Sequence, residues 1–158
     1  MNAETARSEE LGPGDCLASA LPLTAMAVVI LNNQWWKYAY NNFWTGKLSD
    51  IGGLVFFPLL LVAALEVARG RVLSRRVVIL CALATALVFS AVQLWAPATA
   101  AYGHGVGGPL WVARAIGCWI TGLAAPVYRP VCSVADPTDL LTLPALAGAL
   151  WVGLRDRT

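Results

Sequence analysis

The chain has 158 residues, 58% of them hydrophobic and 13% charged, with a mean hydropathy of +0.65. Soluble domains run at about 45–50% apolar and ~25% charged, and a globule this small has too little interior to hide such an excess, whereas helices solvated by lipid carry it in blocks. A formal net charge of +2, with no Lys/Arg run interleaved with aromatics, is too small to suggest a nucleic-acid partner.

The opening stretch, MNAETARSEELGPGDCLASA, sets one arginine against Glu4, Glu9, Glu10 and Asp15. It lacks the basic segment of a secretory signal and is expected to stay on the chain. The first apolar block begins at Cys16, with Asp15 placed to cap it. Up to Leu31 it measures only ~24 Å at 1.5 Å per residue, so a span over 16–36 borrows Trp35 and Trp36 to cross a ~30 Å core. Those indoles then lie at headgroup depth.

The second span, 51–69, follows TGKLSD and closes at Gly70, which is placed to take a left-handed conformation. Ser49 or Asp50 is expected to cap it, Lys47 to pair with Asp50, and Gly52 and Gly53 to admit a neighbouring helix. TGKLSD lacks the glycines that precede the lysine of a phosphate loop, so it carries no nucleotide-binding signal. Glu66 lies within a turn of Arg69, and its carboxylate is expected to reach for the interface.

Arg69, Arg71, Arg75 and Arg76 crowd the link to a third span, 77–95, which Pro97 ends. By the positive-inside rule this link is cytoplasmic. The last span, 137–154, starts at DPTDLL, with Asp136 as cap, Pro137 first and Asp139 third, and ends at Arg155, Asp156 and Arg157, which favour the inside. Between these spans AYGHGVGGP reads as a loop that leaves His104 solvated. Residues 110–126 read as a re-entrant or interfacial helix on the outer side, because a crossing there would bury Arg114 at about 2.5–3.5 kcal/mol. Arg114, Gly117 and Thr121 would share its polar face.

The fold expected is therefore all-α: a polytopic bundle of four transmembrane helices with one additional outer helix, a single membrane domain over 1–158. It is placed in the cell inner membrane with both termini cytoplasmic. Pro22, Pro58 and Pro144 fall inside spans, where neighbouring helices satisfy the carbonyls they free. Cys16, Cys81, Cys118 and Cys132 show no CxxC spacing, and one histidine leaves too few ligands for zinc. Cys16 and Cys81 read as buried apolar residues. Cys118 and Cys132 fall toward the oxidising side, where two free thiols are favoured over a disulfide.

Polar groups gather on the outer side: Asn32, Asn33, Lys37, Asn41, Asn42, Thr45, Lys47, Ser49 and Asp50, then His104, Arg114, Arg129, Asp136 and Asp139. From them Lys47, Asp50, Arg114, Asp136 and Asp139 are taken as the candidate ligand-binding residues, with no cofactor. The cations suit an anionic headgroup; the three acids suit a divalent ion or a basic group. The partners expected are membrane lipids, a lipid-linked headgroup or a membrane protein. Two competing readings are a structural subunit that docks a partner through Gly52, Gly53, Gly148 and Gly153, and a metal-assisted membrane enzyme using Asp50 and Asp139.

KLSD before one helix and DLLTLPALAGALWVG in the last resemble the VanZ-like family of small bacterial membrane proteins. That family carries an Asp-Lys pair opening one helix and an Asp followed by an Asn- and Gly-rich final helix. The likeness covers about a fifth of the chain: Lys47, Asp50 and Asp139 match polar positions, and Gly148 and Gly153 match glycine positions. The histidine after the family's Asp-Lys is missing, the Lys and Asp stand in the other order, and Leu143 occupies the Asn position. The resemblance implies a link to the cell envelope and glycopeptide tolerance, without a settled activity. TGKLSD is also similar to a signature of a bacterial membrane family of uncharacterised function.

Overall fold

A computed structural model describes residues 12–40, 42–132, 134–155 and 157. The N-terminal acids Glu4, Glu9 and Glu10, together with Asn41 and Asp156, lie outside the described residues. Within them the protein is all-helical: a 3-10 turn Asp15–Leu17, then α1 (Ala20–Leu31), α2 (Lys37–Tyr40), α3 (Phe43–Arg69), α4 (Arg75–Leu94), α5 (Ala96–Ile120), a 3-10 segment Pro137–Ala145 and α6 (Leu146–Leu154). Three helical stretches are long and apolar enough to cross a membrane: Phe43–Arg69, Arg75–Leu94 and Pro137–Leu154. The chain forms two compact units, one of residues 1–86 with 141–158 and one of residues 87–140.

In the first unit α1 packs along α3, and α3 along α6. The core is Cys16, Leu59, Val62, Ala63, Val78, Cys81 and Ala149. On α4, Val78 and Cys81 turn inward while Leu80, Leu83 and Leu87 are exposed, a spacing of three and four residues that sets one apolar stripe outward, as lipid contact requires. Glycines bring the helices close. A Cβ on Gly148 would meet Leu21 at 3.3 Å and Val55 at 3.6 Å, and one on Gly153 would meet Val78 at 2.6 Å and Leu59 at 3.1 Å. Gly70 ends α3 with φ +62, the left-handed conformation expected there.

Two helix starts differ from expectation. Asp15 opens the short 3-10 turn and accepts from the Gly12 amide at 2.6 Å, while α1 begins after Ser19. α3 begins eight residues earlier than expected, at Phe43, because Asn42 and Thr45 close a reciprocal capping box: Asn42 Oδ1 accepts from the Thr45 amide at 3.1 Å and Thr45 Oγ1 from the Asn42 amide at 3.3 Å. TGKLSD is thus helical, and neither Ser49 nor Asp50 is the cap. At 27 residues α3 is ~40 Å long, more than a hydrocarbon core needs.

In the second unit, the break at Trp95 lets Pro97 fall within the first two positions of α5, where its missing N–H has no helical partner to lose. Thr99 Oγ1 donates to the Val92 carbonyl at 2.5 Å across that break. The glycine-rich AYGHGVGGP is not a loop: α5 runs straight through it, from Ala96 to Ile120. Its 25 residues unite the expected loop and the expected outer helix. Two of the four glycines in AYGHGVGGP, Gly103 and Gly107, are covered by an extended segment. Val131 donates its amide to the Gly103 carbonyl at 3.0 Å; a Cβ on Gly103 would stand 2.6 Å from the Val131 carbonyl, and one on Gly107 3.0 Å from Pro130 Cα. This close approach offsets about 1 kcal/mol of helix propensity per glycine.

Candidate functional site

The Trp-rich start of α3 frames an open cleft of about 530 Å³ within the first unit. Trp36, Tyr40, Phe43 and Trp44 form aromatic walls, Leu48, Ile51 and Leu141 add aliphatic surface, and Lys47 and Thr142 supply polar atoms. Lys47 is only 7% exposed, and its ammonium sits 4.3 Å from the centroid of the Phe43 ring. A cation over a ring face is stabilised by the ring quadrupole, more so out of water. Trp35, Trp44 and Tyr38 are well exposed.

The floor beside this cleft is a polar cluster between α1 and α3. Helix α1 passes through a π turn, Asn32–Trp36, before α2, a distortion that swings one extra residue into the turn. Asn32 is fully buried there, and its Nδ2 donates to the Thr45 carbonyl and to Ser49 Oγ, both at 2.6 Å. Ser49 Oγ in turn donates to Asn33 Oδ1 at 3.1 Å. The amides that read as an outer polar stretch thus join two helices.

Of the residues chosen from the sequence, Lys47 lines the cleft, and Asp50 follows it by three residues on α3, on the same side of the helix. Arg114 is exposed on α5 in the second unit. Asp136 and Asp139 are brought together in that unit by a residue the sequence did not single out, Gln93 of α4. Gln93 Nε2 donates to Asp139 Oδ2 at 3.1 Å, and its Oε1 accepts from the Asp136 amide at 3.2 Å. Asp136 Oδ1 also accepts from the Thr138 amide at 2.8 Å, so it caps the segment as its sequence predicts. Gln93 is 6% exposed; a buried amide near the end of an apolar helix was the signal available for it. Among the described residues no three His, Cys, Asp or Glu side chains are gathered as a metal ion requires.

His104 stays exposed, but it lies on α5 and not in a loop. Its Nδ1 lies 2.9 Å from the Tyr128 hydroxyl with the two rings stacked, and Trp111 meets Tyr128 edge-on while donating Nε1 to the Pro126 carbonyl at 2.5 Å. These three rings clasp the extended segment onto α5. All four cysteines are free thiols, with Cys16 and Cys81 buried.

The second buried polar centre was missed altogether. Glu66, expected to reach outward, has no exposed surface. Its Oε2 accepts from the Gly14 amide at 3.0 Å, and its Oε1 accepts from the Leu73 amide at 2.8 Å and from Arg157 Nη1. The same nitrogen donates to the Leu73 carbonyl at 2.9 Å, and Arg75 Nε donates to the Arg157 carbonyl at 2.5 Å. Burying the carboxylate is tolerable because every segment around it contributes a donor.

Among the described residues, fold and site together define an all-helical protein with three helices long and apolar enough to cross a membrane and an aromatic cleft holding a buried lysine. Comparison with family models, curated proteins and solved structures finds no match to the chain, so the VanZ-like likeness stands on the residues quoted for it alone.

Proposed function

We propose that this is a bacterial inner-membrane protein crossing the bilayer four times with both termini cytoplasmic, and that its cleft binds an envelope lipid or lipid-linked headgroup at the outer surface. The continuous helical run from α1 to α2 supplies the fourth crossing. One observation carries the binding reading: a nearly buried lysine lines a cleft whose other walls are mainly indole, phenol and aliphatic surface. An amphiphile with an acidic headgroup matches both features, since aromatic rings favour headgroup depth and a cation there forms charge-assisted hydrogen bonds. Lys47 and Asp50 are the first residues of this site; Arg114, Asp136 and Asp139 are kept as polar groups of the outer face.

The test is quenching of tryptophan fluorescence in the purified full chain by brominated phosphatidylglycerol and, separately, brominated phosphatidylcholine. Lys47→Gln is expected to weaken the phosphatidylglycerol response about tenfold, the equivalent of 1.4 kcal/mol, and to leave the phosphatidylcholine response in place. Equal affinities in the wild type and the variant would remove Lys47 from the site. The partner-docking reading is less well supported, because Gly52, Gly148 and Gly153 all contact helices of this chain.

The orientation rests on the arginine link, whose Arg69, Arg71, Arg75 and Arg76 are all exposed. In a Cys118→Ser/Cys132→Ser background, Arg71→Cys is expected to resist a membrane-impermeant maleimide in intact spheroplasts and to react once the membrane is opened. Labelling before opening would reverse the topology.

A further inference from the structure

Arg157 stands three residues beyond α6, yet it is only 4% exposed. What holds it is assembled from other parts of the chain. Glu66 Oε1, from the last turns of α3, and the Leu73 carbonyl, from the turn before α4, converge on the single nitrogen Nη1. The carboxylate is fixed from behind by the Gly14 and Leu73 amides, which belong to neither α3 nor the segment carrying Arg157. Both acceptors are thus aimed by backbone that does not depend on the arginine. A guanidinium suits them better than an ammonium: it is charged at any working pH, weakly hydrated, and presents donors in a fixed plane.

We propose that Glu66 and the Leu73 carbonyl form a guanidinium-binding seat at this end of the helical unit, and that Arg157 is its exchangeable occupant, strapping the segment after Leu154 onto the bundle. Beyond α6 the backbone is extended at Arg155, and Arg75 Nε donates to the Arg157 carbonyl, so the side chain of Arg157 is seated separately from its backbone. The ligand class is an alkylguanidinium cation, supplied here by the chain itself. Its binding is independent of the lipid cleft.

The experiment is chemical rescue in the full-length protein in micelles. Arg157→Ala is expected to lower the thermal midpoint, and millimolar methylguanidinium to restore it at about tenfold lower concentration than methylammonium. With Glu66→Gln added, the rescue is expected to vanish. The proposal is overturned if the two cations act alike, if rescue survives without the carboxylate, or if Arg157→Ala melts with the wild type. Should Arg157→Ala yield no folded protein, Arg157→Lys is the second variant: methylguanidinium is expected to raise its midpoint toward that of the wild type, and no response would sink the seat.

Discussion

Glu66→Ala is expected to destabilise the protein by about 3–5 kcal/mol, the largest effect of any single substitution considered. The carboxylate has no exposed surface, and its removal leaves the guanidinium of Arg157 buried without its counter-charge. It also strips a partner from the Gly14 and Leu73 amides, and an unsatisfied buried donor costs about 1–3 kcal/mol. The attraction within the pair is a smaller matter, because two charges taken out of water regain little more than their desolvation. The double variant Glu66→Leu/Arg157→Leu is therefore expected to be markedly more stable than Glu66→Ala alone. Denaturant unfolding of the wild type, Glu66→Leu, Arg157→Leu and the double variant, in one detergent, measures the coupling. Simple addition of the single effects would show that the two side chains do not meet.

Gly52→Ala and Gly53→Ala are expected to diverge, although the two glycines are neighbours in the chain. A Cβ on Gly52 would lie 2.5 Å from Val29 Cγ2 and 3.0 Å from the Ala25 carbonyl, whereas one on Gly53 meets nothing within 4 Å. The first contact is partly with backbone and cannot be relieved by a rotamer change, so α1 and α3 must separate. Overpacking of this kind costs about 1–3 kcal/mol. Separation also pulls Asn32 away from the Thr45 carbonyl and Ser49, which lie between the same two helices. Gly53→Ala removes a flexible residue from a helix at no steric cost and is expected to be neutral or to stabilise by up to about 1 kcal/mol. Thermal midpoints of the two variants decide it. A shared shift in one direction would mean that α1 does not lie against Gly52.

Glu66 and Gly52 also show where reading along the chain loses information. An acid within a turn of Arg69 has an equally good account as an interfacial residue, and nothing local reveals that Arg157, 91 positions later, will meet it. Likewise GG in an apolar helix announces a close approach without saying which glycine faces the neighbour. The His104 stretch fails for a related reason. Four glycines and a proline argue for a loop on propensity, but the extended segment 129–131, lying on Gly103 and Gly107, makes a helix of it. Tertiary contact outweighs a preference of about 1 kcal/mol per residue.

The candidate site was half legible. Lys47 was chosen as one of the outer cations suited to an anionic headgroup, and the structure places it in a cleft walled by aromatic rings. The capping role of Asp136 was written in DPTDLL, since a cap needs only its own first turn. Gln93, which holds Asp136 and Asp139, lies more than forty positions upstream, and an amide near the end of an apolar helix does not say which residues it will meet.

By itself the sequence determined that the chain is all-helical and apolar enough for a membrane, and where Gly70 ends α3, because hydropathy and left-handed glycine caps are local properties. Only the tertiary structure decided which polar groups are buried and what they bond. Pairing Asn32 with Ser49, Gln93 with Asp139 and Glu66 with Arg157 depends on helices meeting at one register, a property of packing that no window of residues contains.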